Sequence, residues 1–189
     1  MIPMTPALAA QIDETERLAQ PRGDSMQISR DVGHLLANIA LAHQAKLIVE
    51  VGTSYGFSGM WWSALLATCN GHLHTIDVLD KKYSTAKATF AAAGLADRVT
   101  SHLGNAREII PTIPGVIDVA FIDADKPSTQ AYFDLLWLKL RVGGAIVTDN
   151  VISHPQEMEA YLTALRARDD AHTVTIPMRA GVEWTVKLR

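Results

Sequence analysis

The sequence predicts a doubly wound α/β fold, in which a mostly parallel sheet ends in an antiparallel C-terminal hairpin strand. Short apolar runs alternate with segments that have helical apolar spacing, as expected for a sheet wrapped by helices. A glycine-containing loop follows the first of these runs, where such folds bind ligands. The 189 residues are close to the usual size of one domain, so we expect a single domain over residues 1–189.

The N-terminal part is predicted to be helical. A first helical segment is followed by the polar stretch 20–24, which we interpret as a linker to the main fold. A second helix is expected to begin at a serine cap, Ser29. Its apolar face has the spacing of an amphipathic helix and consists of Val32, Leu35, Leu36 and Ile39.

Five apolar runs are predicted to be strands buried on both faces of the sheet, at residues 46–51, 72–76, 99–103, 117–122 and 145–148. The intervening and following helices are predicted at residues 61–67, 84–93, 129–140 and 156–168. We interpret Gly143 and Gly144 as the end of the helix at 129–140. The runs at 173–176 and 182–188 are joined by a short turn at 178–181, which predicts a hairpin.

Composition and charge exclude several classes of protein. The formal net charge is −3 and no run of like charges occurs, so we expect no nucleic-acid partner. Cys69 is the only cysteine, which rules out an intrachain disulfide and a thiolate zinc site and favours a cytoplasmic location. The N-terminus lacks a signal-peptide pattern and no long apolar stretch occurs, so we expect no membrane partner.

The loop after the first strand is the first candidate binding site. Its glycines, Gly52 and Gly56, have the spacing GxxxG and not the GxGxxG of dinucleotide-binding proteins. Glu50, at the end of the strand, would repel a phosphate but suits a cationic ammonium group. Asp77 ends the next strand, where its carboxylate can accept hydrogen bonds from ribose hydroxyls. These residues favour a ligand that has a ribose and no phosphate.

The third predicted strand ends in small, neutral residues that could border an adenine ring. They are Gly104, Asn105 and Ala106. Two structural alternatives stay open for the whole region. The glycine loop could be only a tight strand-to-helix turn, and Asp77 could equally cap the following helix.

Three oxygen-bearing side chains follow the fourth and fifth predicted strands, namely Asp123, Asp149 and Asn150. In a parallel sheet they converge on one crevice, and an all-oxygen set suits magnesium first, with manganese or calcium as further candidates. The alternative is that they form a turn and a helix cap. Lys126 stands just before Pro127, at the positive end of the next helix, where a lysine is not placed for stability. We interpret it as a general base, the alternative being a solvated surface lysine.

These segments resemble the family of metal-dependent, S-adenosylmethionine-dependent O-methyltransferases that includes catechol and caffeoyl-coenzyme A O-methyltransferases. The resemblance spans roughly residues 26–150 and resumes at the final hairpin. Its motifs lie at residues 26–29, 45–58, 76–77, 104–106, 121–126, 143–144 and 149–150. It implies a Rossmann-like methyltransferase sheet and methyl transfer from S-adenosylmethionine to a hydroxyl oxygen of a small acceptor, such as a vicinal diol or a catechol.

The resemblance also implies which residues form the site. The donor would contact Ile28, Glu50, Gly52, Thr53, Gly56, Ser58, Asp77, Gly104, Ala106 and Asp125. Asp123 and Lys126 would be catalytic, and the divalent cation would be held by Asp123, Asp149 and Asn150. A homodimer is common among relatives, although the short N-terminal segment puts those contacts in doubt.

Two other function classes stay open. A nucleotide-dependent oxidoreductase of the NAD type is disfavoured by the missing GxGxxG motif and by Glu50. A non-catalytic S-adenosylmethionine-binding module is disfavoured because the metal set and Lys126 occur together. The segment after Asn150 is shorter than in the family, which predicts an open acceptor pocket, and His154 beyond it is a candidate for contact with the substrate.

Overall fold

The structure, a computed structural model, describes residues 4–24 and 26–189, so the first residues of the N-terminus considered for a signal peptide lie outside the described part. Within that part, the helices α1 to α8 cover Pro6–Arg17, Ala19–Arg22, Arg30–Ala42, Phe57–Cys69, Asp80–Ala92, Ala106–Ile109, Thr129–Lys139 and Pro155–Arg166. The strands β1 to β7 cover Leu47–Val51, His72–Asp77, Val99–Leu103, Ile117–Ile122, Leu140–Asp149, Ala171–Ile176 and Val182–Lys187.

The strands form one sheet in the order β3-β2-β1-β4-β5-β7-β6. Strands β1 to β5 pair in parallel, and β7 lies antiparallel between β5 and β6. The doubly wound α/β prediction is therefore confirmed, with the winding reversing between β1 and β4. The predicted hairpin is present, but its antiparallel strand is one position in from the edge, and the edge strand β6 runs in the same direction as β5.

The two faces of the sheet carry separate cores because neighbouring residues of a strand point to opposite faces. In β4, Val119 and Phe121 pack with α1, α3, α4 and α5, whereas Ala120 and Ile122 pack with α6, α7 and α8. The expectation of burial on both faces is wrong for β3, whose residues are half-exposed or exposed. This strand forms one edge of the sheet, and α6, which covers that end of the second face, is a single turn of four residues.

Two predicted boundaries are wrong for identifiable reasons. The polar stretch 20–24 is not an open linker, because it contains most of α2. Helix α7 ends at Lys139 without a glycine, and Gly143 and Gly144 lie inside β5. Gly143 has a φ of 72°, and the pairing of β4 with β5 shifts register beside it, so the glycine pair accommodates an irregularity in the strand.

The beginning of α3 matches its prediction. The Ser29 hydroxyl accepts a hydrogen bond from the Val32 amide at 3.4 Å, which satisfies one free N–H of the first turn. This cap fixes the point at which the chain leaves residues 26–28 and enters the helix. No helix in residues 4–24 and 26–189 combines the length and the apolar character needed to cross a membrane.

Candidate functional site

Two cavities open where the parallel strands end. The first has a volume of about 410 Å³ and lies over the loops that follow β1, β2 and β4. The second, of about 440 Å³, lies between the residues that precede α3 and the tip of the β6–β7 hairpin. Met26, Asp123 and Asn150 line both cavities. The two spaces therefore adjoin at the ends of β4 and β5.

The predicted cofactor-binding residues divide into three groups. Those that line the first cavity are Gly52, Asp77, Gly104, Ala106 and Asp125. Ile28 lines the second cavity. Glu50, Thr53, Gly56 and Ser58 line neither cavity and are buried beneath the loop after β1. Six of the ten predicted residues thus line one of the two cavities, and the other four lie beneath the loop after β1. Their contact with a donor stays a prediction.

The two glycines of this loop are required by their protein neighbours. Gly52 has a φ of 101°, and a Cβ atom there would lie 2.0 Å from the main-chain oxygen of Asp123. Gly56 has a φ of 84°, and its Cβ would lie 3.0 Å from the ring of Phe90. The absence of a side chain at Gly52 thus brings the β1 and β4 loops into contact. The packing of these two loops accounts for a glycine at position 52 without reference to a ligand.

Asp77 orders the loops on both sides of the first cavity. One carboxylate oxygen accepts a hydrogen bond from the Ser54 amide at 2.8 Å, and the other accepts one from the Leu79 amide at 2.9 Å. Leu79 is the residue that precedes α5, so the helix-cap alternative is close to what the structure shows. Because each carboxylate oxygen can accept more than one hydrogen bond, this role leaves room for ribose hydroxyls.

The first cavity also has an apolar wall that sequence reasoning missed. Val78 and Leu79 follow Asp77, line the cavity and are 64% and 52% exposed. Met26, which is 83% exposed, lies across the opening, and Tyr132 lines it as well. Two exposed apolar residues directly after a strand-end acid were the available signal. Such a wall fits one face of a flat aromatic group.

Glu50 is a fully buried carboxylate with an incomplete set of partners. Its Oε2 accepts a hydrogen bond from the Thr75 hydroxyl at 2.6 Å, and Thr75 also contacts the Thr53 hydroxyl. Its Oε1 has no hydrogen-bond partner in the described part of the chain. Burial raises the pKa of Glu50 to about 7, and the charge of Asp123 adds to this effect. The side chains of Thr75, Ser58 and Trp62 oppose the shift. An unpartnered buried oxygen at this position suits a cationic ligand group above it.

The carboxylates of Asp123 and Asp149 lie close enough for charge repulsion to contribute to the raised pKa of Asp149, as predicted for a shared site. Asp149 is 5% exposed, and its Oδ2 accepts a hydrogen bond from the side-chain Nδ2 of Asn150 at 2.8 Å. Its Oδ1 has no partner among the described residues. Burial, together with the charge of Asp123, raises the pKa of Asp149 to about 6. Burial also raises the pKa of Asp123, against the opposing charge of Lys126.

This set fits a hard divalent cation, which would supply positive charge to the unpartnered Asp149 oxygen. The fit comes from two carboxylates and one amide. Across residues 4–24 and 26–189, no cluster of three His, Cys, Asp or Glu side chains is arranged to hold a metal ion. The remaining coordination positions of a cation here would be filled by water or by ligand oxygens.

Lys126 lies inside the site and is not a solvated surface lysine. Its side chain is 11% exposed, and its Nζ donates to the Ala124 carbonyl at 2.8 Å and lies 3.5 Å from Asp123 Oδ1. It lines the first cavity, at the side where the cavity meets the second. The amine is thus held beside the acids that adjoin both spaces. His154 lines the first cavity too, and its contact with substrate stays a prediction.

Asp125 has a structural role beside its place in the cavity wall. It accepts hydrogen bonds from the Ser128 amide at 3.1 Å and from the Tyr132 hydroxyl at 2.7 Å, and so caps the turn that leads into α7. Burial alone would raise its pKa, but these two donors lower the pKa overall. The helix cap that we considered for Asp123 is therefore provided by Asp125.

Comparison with known proteins agrees with this geometry. A family profile described as O-methyltransferase matches residues 6–168. A catechol O-methyltransferase from Mycobacterium tuberculosis is 37% identical over 148 residues, which cover 78% of this chain and 66% of the relative. A second, from Niastella koreensis, is 36% identical over 142 residues, covering 73% and 64%. The matches thus extend over slightly less than two thirds of the length of these relatives.

A solved structure supports the fold over the whole chain. The O-methyltransferase TomG from Streptomyces achromogenes, solved in complex with S-adenosylmethionine, superposes with a TM-score of 0.86 and 26% identity. The superposition covers 100% of this chain and 92% of that protein. The superposition and the sequence matches therefore agree on the fold and the family.

Proposed function

The chain belongs to the O-methyltransferase family, and on that premise we propose that it transfers a methyl group from S-adenosylmethionine to a hydroxyl oxygen of a vicinal-diol or catechol-like acceptor. We further propose that a divalent cation, magnesium by preference, is held by Asp123, Asp149 and Asn150. The acceptor is a small molecule that enters the second cavity. The donor occupies the first.

One observation carries this proposal: the two cavities adjoin at Asp123 and Asn150. A methyl transfer needs two ligands that meet at one point, with the acceptor oxygen in line with the methyl group. A binding module for one ligand has no need for a second cavity with shared acids. The adjoining cavities therefore favour a two-substrate reaction over the non-catalytic alternative.

The first cavity matches the chemical parts of the donor. Asp77 can accept hydrogen bonds from the ribose, and Val78 with Leu79 provides an apolar face for the adenine. Glu50, beneath the loop after β1, favours the positively charged methionine part. The Gly52 backbone forms the floor between the two, next to the main chain of Asp123.

The second cavity and its acids activate the acceptor. A divalent cation, when bound, acts as a Lewis acid that lowers the pKa of an acceptor hydroxyl and orients two vicinal hydroxyls. Lys126 lies beside Asp123, where its Nζ, as a neutral amine, can take the hydroxyl proton and become an ammonium group. The acceptor oxygen then attacks the sulfonium methyl, a carbon–oxygen bond forms, and the carbon–sulfur bond breaks to leave a neutral thioether.

The test is a turnover assay with labelled donor and a panel of catechols and other vicinal diols, in the presence and absence of a chelator. We expect turnover of at least one vicinal diol, its loss on chelation, and its return with magnesium or manganese. A diol with one hydroxyl already methylated is the matched control and should be a poor acceptor. Donor binding, measured by calorimetry, should survive chelation.

Each part of the proposal can fail separately. Full turnover in excess chelator would exclude the role of the cation while leaving methyl transfer intact. Tight donor binding without turnover of any diol would favour the binding-module alternative. Binding of NAD in place of the donor would favour the oxidoreductase alternative. Because the segment after Asn150 is short, bulky diols should be accepted as readily as small ones, and their strict rejection would contradict an open pocket.

A further inference from the structure

We propose that Arg179 makes the enzyme selective for acceptors that carry an anionic group, such as a carboxylate, in addition to their vicinal hydroxyls. This inference rests on the proposed function, because it concerns what the second cavity binds. The observation behind it is the charge of that cavity. Among the described residues that line it, Arg179 is the one cationic side chain, and the acids are Asp123 and Asp149, which we assign to the cation.

The main chain of Arg179 is held at a fixed place relative to those acids. Arg179 lies in the turn between β6 and β7, which closes with a hydrogen bond from the Gly181 amide to the Met178 carbonyl at 2.8 Å. The turn is tied to the segment that follows Asn150. The Val151 amide donates a hydrogen bond to the Gly181 carbonyl at 3.1 Å. The amides of Ile152 and Ser153 each donate to the Ala180 carbonyl at 2.9 Å.

Strand pairing extends this connection into the sheet. Val182, the first residue of β7, pairs with Asp149, the last residue of β5. Arg179 is therefore three residues along the chain from the direct neighbour of a proposed cation ligand. Gly181 leaves little freedom for the turn to move, since a Cβ there would lie 2.4 Å from Ile152 Cγ1. The backbone of Arg179 is thus anchored to the segment that follows Asn150.

Nothing in the turn itself accounts for an arginine at this position. Arg179 has a φ of 51°, in the left-handed region that favours glycine or asparagine. The ion pair that the structure gives it is with Asp31, at 4.0 Å, and the two side chains are 69% and 68% exposed. An exposed pair at that separation is weak, so the guanidinium remains available to a carboxylate on a ligand. A guanidinium can bind a carboxylate through two parallel hydrogen bonds.

The two ends of the second cavity would therefore bind different groups of the acceptor. The end at Asp123, Asp149 and Asn150 would recognise the hydroxyls, while Arg179 at the hairpin tip would recognise a negative charge elsewhere on the acceptor. Asp31 competes with that charge for the same guanidinium. Removing Arg179 should therefore abolish the preference, and removing the charge of Asp31 should strengthen it.

The experiment compares a dihydroxybenzoate that has adjacent hydroxyls with its neutral carboxamide. For the parent enzyme we expect kcat/KM to be roughly 3- to 10-fold higher for the carboxylate. In Arg179→Ala the ratio should fall to about one, mainly through KM of the carboxylate, with the amide little changed. Arg179→Lys should retain part of the preference, and Asp31→Asn should increase it. Added salt should reduce the ratio in the parent.

The matched control is Arg189→Ala. Arg189 forms an ion pair with Asp169 and is 67% exposed, like Arg179, but it does not line either cavity. This variant should keep the parental ratio. A second readout is calorimetric binding of the two acceptors to the enzyme saturated with the demethylated donor, S-adenosylhomocysteine, which needs no turnover.

The outcomes separate the two proposals. Turnover of both acceptors with no preference, or a preference that survives in Arg179→Ala, would overturn the role of Arg179 and leave the proposed function standing. If neither acceptor is methylated, the calorimetric ratio decides: preferential binding of the carboxylate that is lost in Arg179→Ala supports the inference, and equal binding overturns it.

Discussion

The two cavities are walled by acids that have very different partners. On the donor side, both oxygens of Asp77 accept main-chain hydrogen bonds, and Asp125 accepts bonds from Ser128 and Tyr132 that lower its pKa. On the cation side, burial raises the pKa values of Asp123 and Asp149, and Asp149 Oδ1 has no partner among the described residues. Asp77 and Asp125, which line the first cavity, are thus satisfied by donors within the chain, whereas Asp149 is not.

This difference shows how a carboxylate serves two purposes in one site. Where main-chain amides satisfy it, as at Asp77, it holds loops in place before any ligand arrives. Where burial outweighs hydrogen bonding, as at Asp149, the charged form is unfavourable in the folded protein, and the proposed cation would offset that cost. The first kind of acid builds a binding surface, and the second makes binding itself favourable.

The largest effect is expected at the junction between the two regions. Lys126→Ala should lower kcat by roughly 10²- to 10⁴-fold, the range for loss of a general base, while calorimetric donor binding stays unchanged. The loss should be smaller at high pH, where the acceptor hydroxyl ionises without help. Lys139→Ala, a lysine at the end of α7, is the control. An unchanged kcat would remove the general-base role and leave the fold and donor assignments intact.

The next effect is expected at the contact between Gly52 and Asp123, which joins the two cavity walls. Gly52→Ala should destabilise the protein by roughly 3 kcal/mol or more, because its Cβ would lie 2.0 Å from the Asp123 oxygen at a φ of 101°. Thermal and denaturant unfolding measure this, and turnover should fall as the loops separate. Gly94→Ala is the matched control, since it has a φ of 74° and no atom within 4 Å of the added Cβ. Equal losses in both variants would show that backbone conformation alone, and not the loop contact, is responsible.

The third prediction concerns how the free energy of unfolding depends on pH, which distinguishes the contribution of Glu50 from those of the acids around it. Its folded-state pKa, about 7, exceeds its ordinary value of 4.5, so the folded state binds the extra proton. The free energy of unfolding of the ligand-free protein should therefore be greatest near pH 4.5. It should fall by on the order of 2–3 kcal/mol as the pH rises to 7. Glu50→Gln should remove most of this slope, leaving the part that Asp149 causes.

Two results would contradict this account. If the parent became more stable as the pH rose through that window, the sign of the Glu50 shift would be wrong. If Glu50→Gln kept the full slope, another group would be responsible. Donor affinity gives an independent check, because ionised Glu50 favours the cationic donor and affinity should increase as the pH approaches 7.

The smallest effect concerns the donor wall. Asp77→Ala should weaken donor binding by roughly 1.5–3 kcal/mol through loss of a charged acceptor for the ribose. Asp77→Asn keeps an oxygen for one loop amide and should show a smaller loss, which separates ribose binding from loop ordering. Calorimetry with the donor, beside unfolding measurements, distinguishes the two. Donor binding as tight as that of the parent in a folded Asp77→Ala would contradict the ribose assignment.

The parts of the fold that were predictable depend on local patterns. Strand ends are visible in the sequence as polar residues after apolar runs, which is why the sequence places Asp77, Asp123 and Asp149 at the ends of strands. The glycines at 143–144 were misassigned, since a glycine pair fits a helix end and a strand irregularity equally well in sequence. Only the pairing of β5 with β4 shows that this glycine pair belongs to a strand irregularity and not to a helix end.

The site was less predictable than the fold because several of its contacts join distant segments. Arg179 faces the second cavity only after β7 has paired with β5, and nothing near it in sequence indicates this. The unpartnered oxygens of Glu50 and Asp149 are likewise a matter of tertiary burial. The contact of Gly52 with the main chain of Asp123 also depends on how two loops pack, which the GxxxG spacing does not indicate.

The strand order also has a consequence for synthesis of the chain. Strand β6 leaves the ribosome before β7, but it joins the sheet only through β7. Until Val182–Lys187 has emerged, the long edge of β5 has no neighbour on that side and is open to pairing with another strand. A chain in which β7 has not yet been inserted is therefore open to edge-to-edge pairing along β5.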